Sequence, residues 1–208
     1  MTGLDHPGWR AAFDEAWASW CSGNYGIGAA LIDPTTLEVV SQGRNRVTER
    51  AERPGVLAGN FLAHAEMNAF AALPRMLAAD LDLYTTLEPC AMCSGTSVMM
   101  HVAHIHYAAA DELMTGIHDL WDQQAFTAPR AAMRSGPLDG ELETFARVLP
   151  LTFTAVYAPE GVAATSARAD TPELWELATA LMAEGDLAGV KADGGSVADA
   201  LAVVRATG

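Results

Sequence analysis

The chain has 208 residues, half of them apolar, and a formal net charge of −14 at pH 7. This length and composition suit one domain with a full hydrophobic core, with room for an appendage. Because such an acidic chain repels phosphate backbones, nucleic acid is not expected as a partner.

Targeting signals and membrane segments are not expected either. Three cysteines provide no disulfide framework, and no apolar run reaches membrane-spanning length. The start, 1–5, lacks the charged and apolar regions of a leader. We therefore expect a cytoplasmic protein without membrane contact.

The first predicted element is an amphipathic helix that starts at Pro7 and ends at Gly23. Its apolar residues recur at helical spacing, as expected for a face buried in the core: Trp9, Phe13, Ala16, Trp17 and Trp20. Two strand-like runs follow, 25–32 and 37–41, and the sequence between them, 33–36, has turn chemistry. Together they predict a β-hairpin.

The middle of the chain predicts a helix over 64–73, which Pro74 ends. A strand at 81–87, a helix at 90–101 and a strand at 102–108 then form a βαβ unit. Its right-handed crossover makes the two strands parallel. Open α/β sheets bind ligands beyond the carboxyl ends of such strands, and two cysteines follow directly on the first strand.

The last third predicts a helix over 138–148 and a final strand over 151–157. Residues 158–170 are small and polar and include Pro and Gly, which is typical of a linker or long loop. Two short helices are expected after them. We therefore divide the chain into a domain of residues 1–158 and a linker with a helical extension, residues 159–208. The sequence leaves open what these helices pack against.

Two short motifs carry the chemistry: His64-Ala65-Glu66 and Pro89-Cys90-Ala91-Met92-Cys93. Structural zinc normally takes four protein ligands, whereas catalytic zinc takes three and leaves one position for water or substrate. His64, Cys90 and Cys93 supply three ligands. Zinc lowers the pKa of bound water to about 7, and Glu66 is then free to act as general acid and base. The motifs together indicate a site at which zinc activates a water molecule.

The spacing of the ligands explains one half of this site. Cys90 and Cys93 are three residues apart on a helical turn, and Pro89 suits the first helical position, where the helix dipole favours thiolates. His64 and Glu66 are two residues apart, roughly 200° around a regular helix. They can converge only in an irregular first turn.

Each motif alone has another interpretation. A Cys-x-x-Cys pair occurs in redox dithiols and in structural zinc sites, and His-x-Glu is frequent by chance. A noncatalytic zinc-stabilised binding module is therefore an alternative, but Glu66 argues against it because a structural site needs no base. Cys21, at the end of the first helix, is interpreted as a buried small side chain rather than a fourth ligand.

The order H-x-E followed by P-C-x-x-C is the signature of the zinc nucleobase deaminases. Over residues 9–157 the chain resembles the cytidine-deaminase-like superfamily, in particular its guanine-deaminase and tRNA-adenosine-deaminase branches. The motifs at 64–69 and 83–93 carry the resemblance. It implies an α/β fold, a three-layer α/β/α sandwich with a five-stranded mixed sheet, one catalytic Zn²⁺ per subunit and usually a homodimer or larger assembly.

The resemblance also implies contacts to the substrate. Asn45 matches the family's substrate-binding asparagine, with a plain turn residue as the alternative. Asp111 resembles the aspartate with which the guanine branch reads the base, with an exposed loop acid as the alternative. Ala65, between the histidine and the glutamate, is also expected to contact substrate. Two segments depart from the branches: 60–63 reads NFLA where DPTA is usual, and 109–116 matches only loosely.

We expect a zinc-dependent hydrolytic deaminase of a free nucleobase or nucleoside, with a purine such as guanine favoured and ammonia released. A tRNA adenosine deaminase is the first alternative, and the acidic charge disfavours it. A cytosine- or cytidine-type deaminase is the second.

Three further groups have functional and ordinary interpretations. His104 and His106 share one face of a strand, which suits a second metal, although packed or solvated histidines are commoner. Trp121 and Phe126 lie where relatives close the pocket with aromatics, and core packing is the alternative. A basic cluster interleaved with acids indicates a solvated loop rather than a phosphate site: Arg44, Arg46, Glu49, Arg50, Glu52 and Arg53.

Overall fold

The computed structural model describes residues 3–50 and 54–208, so Glu52 and Arg53 of the basic cluster lie outside the described residues. The strands are β1 Gly28–Ile32, β2 Val39–Arg44, β3 Asp82–Leu87, β4 His104–Ala109 and β5 Met133–Ser135. The helices are α1 Pro7–Cys21, α2 Ala65–Ala71, α3 Ala91–Met99, α4 Asp119–Asp122, α5 Glu141–Tyr157, α6 Val162–Asp170, α7 Pro172–Glu184, α8 Asp186–Ala192 and α9 Val197–Thr207.

The five strands form one mixed sheet in the order β2-β1-β3-β4-β5. β1 pairs antiparallel with both β2 and β3, which confirms the hairpin. β3 pairs parallel with β4, and β4 pairs parallel with β5. The predicted βαβ unit is thereby confirmed, and so is the α/β fold with a five-stranded mixed sheet.

Side chains of alternate strand residues bury both faces of the sheet, as the period of two along a strand requires. Ala30 and Ile32 of β1 belong to one apolar cluster with α1 and α5. Ala29 and Leu31 belong to the opposite cluster with α2. Helices therefore cover the sheet on both sides, which gives the predicted three layers.

Helix α2 lies so close to β2 that only glycine fits at the contact. A Cβ atom on Gly43 would lie 2.3 Å from the backbone nitrogen of Ala69 and 2.5 Å from the carbonyl oxygen of Ala65. Backbone atoms cannot move aside as a flexible side chain can. This contact fixes the distance between the sheet and the first turn of α2.

Gly43→Ala is expected to lower the free energy of unfolding by about 1–3 kcal/mol, the usual cost of overpacking, because α2 must shift away from the sheet. The matched control is Gly189→Ala, since Gly189 lies inside α8 with open space around it. Its substitution should be neutral or slightly stabilising. Urea denaturation of both variants measures the difference, and equal midpoints would contradict the close-contact argument.

The predicted strand over 151–157 is wrong, because these residues continue α5 through Pro150. The two threonines of this segment form hydrogen bonds within the helix. The hydroxyl of Thr152 donates to the carbonyl oxygen of Leu149 at 2.6 Å, and that of Thr154 to Pro150 at 2.9 Å. Burial of Phe153 against Tyr25, with ring centroids 4.2 Å apart, favours the helix despite the proline.

The fifth strand is instead Met133–Ser135, three residues at the edge of the sheet. The predicted linker over 158–170 is also wrong where Val162–Asp170 forms α6. Its alanines favour a helix, and Ala164 and Ala167 are buried.

The C-terminal helices pack on the same side of the sheet as α1 and α5. The indole nitrogen of Trp17 donates to the carbonyl oxygen of Gly195 at 2.9 Å. Leu181, Leu187 and Leu201 belong to the apolar cluster of α1 and α5. The two short helices expected after residue 170 are confirmed by α7, which is followed by Gly185, and by α9, which begins with a capping box of Ser196 and Asp199. In the described part of the chain, no helix is both long and apolar enough to span a bilayer.

Candidate active site

The two motifs lie at the N-termini of α2 and α3. His64 is the N-cap of α2 and Cys90 is the N-cap of α3, and both have extended backbone angles. Pro89 therefore precedes the cap and does not occupy the first helical position that the sequence predicted. Because His64 lies before the first turn and Glu66 within it, the two side chains are not held on opposite sides of a regular helix.

Three metal-ligating side chains meet between these helix ends. The Nδ1 atom of His64 lies 3.6 Å from Cys90 Sγ and 3.6 Å from Cys93 Sγ. All three ligand atoms lie within 4.8 Å of one another. Two thiols and an imidazole are ligands that zinc prefers, and three of them leave one position open. This group therefore fits a catalytic zinc ion.

Glu66 lies beside the metal-ligating group and is only 4% exposed. Its Oε2 atom is 3.3 Å from Cys93 Sγ, and its Oε1 atom is 3.2 Å from the hydroxyl of Thr85 on β3. The role of Thr85, which lies on β3, was not predicted from the sequence. Its position on a fully buried strand face was the available signal, and its contact holds the Glu66 carboxyl in place.

The pKa values at the site suit metal binding and proton transfer. The hydrogen bond between the cysteines, followed by that from His64, lowers the pKa of Cys90 to about 4. The same bond between the cysteines raises the pKa of Cys93, so Cys90 carries the negative charge of the pair. Burial raises the pKa of Glu66. A raised pKa makes a carboxyl group a better proton acceptor, as a group that takes up and returns protons requires.

A cavity of about 300 Å³ lies over the metal-ligating group. Its lining includes His64, Glu66 and Cys90. The volume is at the lower end of small-molecule sites, which run from roughly 300 to 1,000 Å³. The cavity therefore suits a ligand of the size of a heterocycle with a small substituent.

The structure brings the three predicted substrate contacts to this cavity. Asn45, Ala65 and Asp111 all line it. The Oδ1 atom of Asn45 accepts from the backbone nitrogen of Val47 at 3.2 Å. Ala65 is the first residue of α2, where a backbone N–H has no partner within the helix. Asp111 accepts from the backbone nitrogen of Leu113 at 3.0 Å, which holds its carboxylate in place.

Trp121 and Phe126, for which the sequence left pocket closure and core packing open, do not line the cavity. The indole nitrogen of Trp121 donates to the hydroxyl of Ser94 at 2.7 Å, and Phe126 packs under the guanidinium of Arg130, 4.1 Å from its ring centroid. Phe61 lines the cavity instead, with 77% of its surface exposed. The sequence indicated a different pocket wall at this position, because residues 60–63 read NFLA where DPTA is usual.

Carboxylates dominate the charge of the cavity. Among its described lining residues, five are acidic and one carries a guanidinium: Glu66, Glu88, Asp111, Glu112 and Asp170, with Arg147. Arg147 pairs with Glu112 and, at 3.5 Å, with Glu143. Its positive charge is therefore already balanced, and the cavity disfavours anionic ligands.

Two other charged groups from the sequence lie elsewhere. His104, His106 and Asp82 offer ligand atoms within 4.8 Å at the start of β3 and β4, the opposite end of these strands from the cysteines. His106 lies 3.2 Å from Asp82, and His104 bonds the hydroxyl of Ser135 at 2.8 Å. In the basic cluster, Arg44 and Arg46 both pair with Glu49. The predicted solvated loop is wrong for these three residues, because Arg44 ends β2 and the three side chains are only 17–23% exposed.

Comparison with known proteins was consistent with this geometry. The family model of the cytidine and deoxycytidylate deaminase zinc-binding region matches residues 5–109. The tRNA-specific adenosine deaminase of Rickettsia bellii (strain RML369-C) is 28% identical over 106 residues, which are 49% of this chain and 68% of that protein. The cytosine deaminase of Candida albicans (strain SC5314 / ATCC MYA-2876) is 33% identical over 102 residues, which are 48% of this chain and 62% of that protein.

A solved structure of guanine deaminase from Nitrosomonas europaea has a similar fold. The TM-score is 0.50 at 19% identity, over 69% of this chain and 81% of that chain. The match supports the three-layer architecture.

Proposed function

Because the chain belongs to the family of the cytidine and deoxycytidylate deaminase zinc-binding region, and is thus a zinc hydrolase acting on C–N bonds, we propose that it deaminates an unphosphorylated nucleobase or nucleoside. The reaction is hydrolytic and releases ammonia. A purine such as guanine is the favoured base, the protein acts in the cytoplasm, and its functional form is a homodimer. Residues 1–158 form the deaminase domain and residues 159–208 its extension.

One observation carries the choice of a small unphosphorylated substrate. The cavity over the metal-ligating group has a volume of about 300 Å³. Five carboxyl groups line it, and the one guanidinium among its described lining residues, that of Arg147, is already paired with Glu112. A phosphate group entering it would meet negative charge, and the described lining residues offer no unpaired guanidinium or ammonium group to balance it. A neutral base or nucleoside meets no such barrier.

The residues of the site then have distinct roles. His64, Cys90 and Cys93 hold the zinc ion, which supplies an activated water when bound. Glu66 carries protons, first to the ring nitrogen next to the reacting carbon and then to the departing amine. The distance of 3.2 Å to the Thr85 hydroxyl keeps its carboxyl group oriented.

The preference for a purine rests on the polar groups beyond the reacting atoms. Asn45 and the backbone N–H of Ala65 can bond a ring nitrogen or carbonyl oxygen of the base. The Asp111 carboxylate can accept from two adjacent N–H groups, as guanine presents them. Asn45 and Asp111 both line the cavity, so one planar base can contact both.

A tRNA adenosine deaminase is the second candidate, because a relative of that name matches half of the chain. Such an enzyme must extrude a base and bind the surrounding phosphates. The net charge of −14 and the acidic cavity oppose this. We therefore rank this activity below that on small molecules.

Ammonia release from a substrate panel tests the proposal. The panel contains guanine, adenine and cytosine, their nucleosides, the 5′-monophosphates and unmodified tRNA. We expect turnover of a purine base or nucleoside, with kcat/KM at least about tenfold above that of its monophosphate. Repulsion between the phosphate and the carboxylates should cost about 1.4 kcal/mol or more, which corresponds to that factor of ten. Inosine formation in tRNA, without turnover of any free base or nucleoside, would promote the second candidate.

A further inference from the structure

Helix α6 forms one wall of the cavity and presents a single face to it. The lining residues Ala163, Ser166, Ala167 and Asp170 follow the spacing of three, four and seven residues that defines one side of a helix. The family match ends at residue 109, so α6 is a feature outside the conserved zinc-binding region.

The α6 wall is anchored in the molecule. Ala164 is fully buried and Ala167 is 7% exposed. On the outer side, the guanidinium of Arg168 donates to the carbonyl oxygen of Pro159 at 2.7 Å and lies over the ring of Trp175 at 5.1 Å. The face toward the cavity is therefore held at a fixed position rather than at the end of a loose segment.

Two polar side chains on this wall form a preorganised acceptor. The hydroxyl of Ser166 donates to the Oδ2 atom of Asp170 at 2.7 Å, one helical turn apart. This bond orients the carboxylate and leaves its second oxygen available to a ligand. Ala163 and Ala167 beside them have small side chains, which leave space next to the carboxylate for a substituent of the base.

The charges around this acceptor select the chemical class of the substituent. Vicinal hydroxyl groups donate hydrogen bonds and carry no charge, so a carboxylate and a serine hydroxyl can both bond to them. A phosphate offers only acceptors and negative charge. Arg147, the guanidinium on the adjacent wall, is occupied by Glu112 and Glu143 and cannot offset it.

We propose that Ser166 and Asp170 form a sugar subsite that binds the hydroxyl groups of an unphosphorylated nucleoside. This inference rests on the proposed function, since the base must occupy the zinc end of the same cavity. It narrows the substrate from a base or nucleoside to the nucleoside. It also gives the extension, residues 159–208, a direct role in substrate choice.

The test compares each nucleoside with its own free base. Guanosine, adenosine and cytidine, and the corresponding bases, are assayed with the zinc-loaded wild type and with Asp170→Ala and Ser166→Ala. We expect Asp170→Ala to lower kcat/KM for the preferred nucleoside about tenfold or more, as for loss of a hydrogen bond to a charged group, and to change that for the base less than about twofold. Ser166→Ala should show a smaller loss in the same direction.

The matched control is Thr165→Ala, which removes a hydroxyl from the exposed side of the same helix. It should leave both substrates unaffected. Thermal denaturation of all three variants shows whether α6 remains folded. Equal losses for nucleoside and base, or no loss for the nucleoside, would overturn the sugar subsite.

Binding to Glu66→Gln separates this inference from the proposed function. Calorimetry with the same six compounds measures affinity without turnover, so it reads the subsite even if none of them is a substrate. Nucleosides that bind at least about tenfold more tightly than their bases, with the difference lost in Asp170→Ala, support the subsite. If ammonia is released from bases alone and nucleosides bind no better, the subsite is wrong while the proposed function stands.

Discussion

Glu66→Gln should retain zinc, fold normally and lose at least about 10²- to 10⁴-fold in turnover, the usual contribution of a positioned general acid and base. The substitution keeps the size of the side chain. Its neighbours, the Thr85 hydroxyl at 3.2 Å and Cys93 Sγ at 3.3 Å, can both bond to an amide. What is lost is the ability to accept and return a proton.

The measurement combines zinc content, substrate affinity and ammonia release. Glu15→Gln on α1 is the matched control, because Glu15 bonds the side chain of Gln42 at 2.7 Å and does not line the cavity. It should behave as wild type. A Glu66→Gln protein that deaminates at the wild-type rate would place the proton transfers elsewhere, and one that loses its zinc would make Glu66 a ligand.

Cys90→Ala and Cys93→Ala should each reduce bound zinc from about one per chain to nearly none, with complete loss of ammonia release. Either change leaves two ligands, which cannot hold zinc against water. The two sulfur atoms lie at the same distance, 3.6 Å, from Nδ1 of His64, so neither position is expected to be dispensable.

The third cysteine provides the control for this experiment. Cys21 lies at the end of α1, and burial raises the pKa of its thiol. Cys21→Ala should keep both zinc and activity. Metal analysis by mass spectrometry decides the point: full zinc in Cys90→Ala or Cys93→Ala would remove that residue from the ligand set.

The sequence predicted the elements whose signals are local. The tryptophans of α1 define one helical face, and the turn over 33–36 joins two strands of the right character. The βαβ unit around Cys90 could be predicted because the sequence patterns of its strands and helix are strong and end clearly, and β3 and β4 do pair parallel. These parts also place the metal-ligating group beyond the carboxyl end of β3, the central strand of the sheet.

The parts that the sequence missed depend on tertiary contacts. Strand β5 has three residues, too short for an alternating pattern to stand out. The helix predicted over 138–148 continues through Pro150 to Tyr157, because burial of Phe153 and its neighbours outweighs the lost backbone bond. Residues 158–170 resembled a linker because alanine and serine suit both loops and helices.

The same limit applies to the candidate site. Its ligands and Glu66 stand in two short motifs, so their proximity could be inferred before the fold was known. Phe61 and Asp170 line the cavity from segments that share no motif with the ligands. Phe61 reaches the cavity from the segment just before His64, whereas Asp170 reaches it only because α6 lies against the cavity.

The central claim, zinc-dependent deamination of an unphosphorylated base or nucleoside, is tested most directly by ammonia release before and after metal removal. The purified protein is stripped with a chelator, assayed with purine bases and nucleosides, and assayed again after addition of one equivalent of zinc. We expect background release from the stripped protein and full recovery with zinc. Full activity without metal, or no ammonia from any base or nucleoside after reloading, would contradict the account.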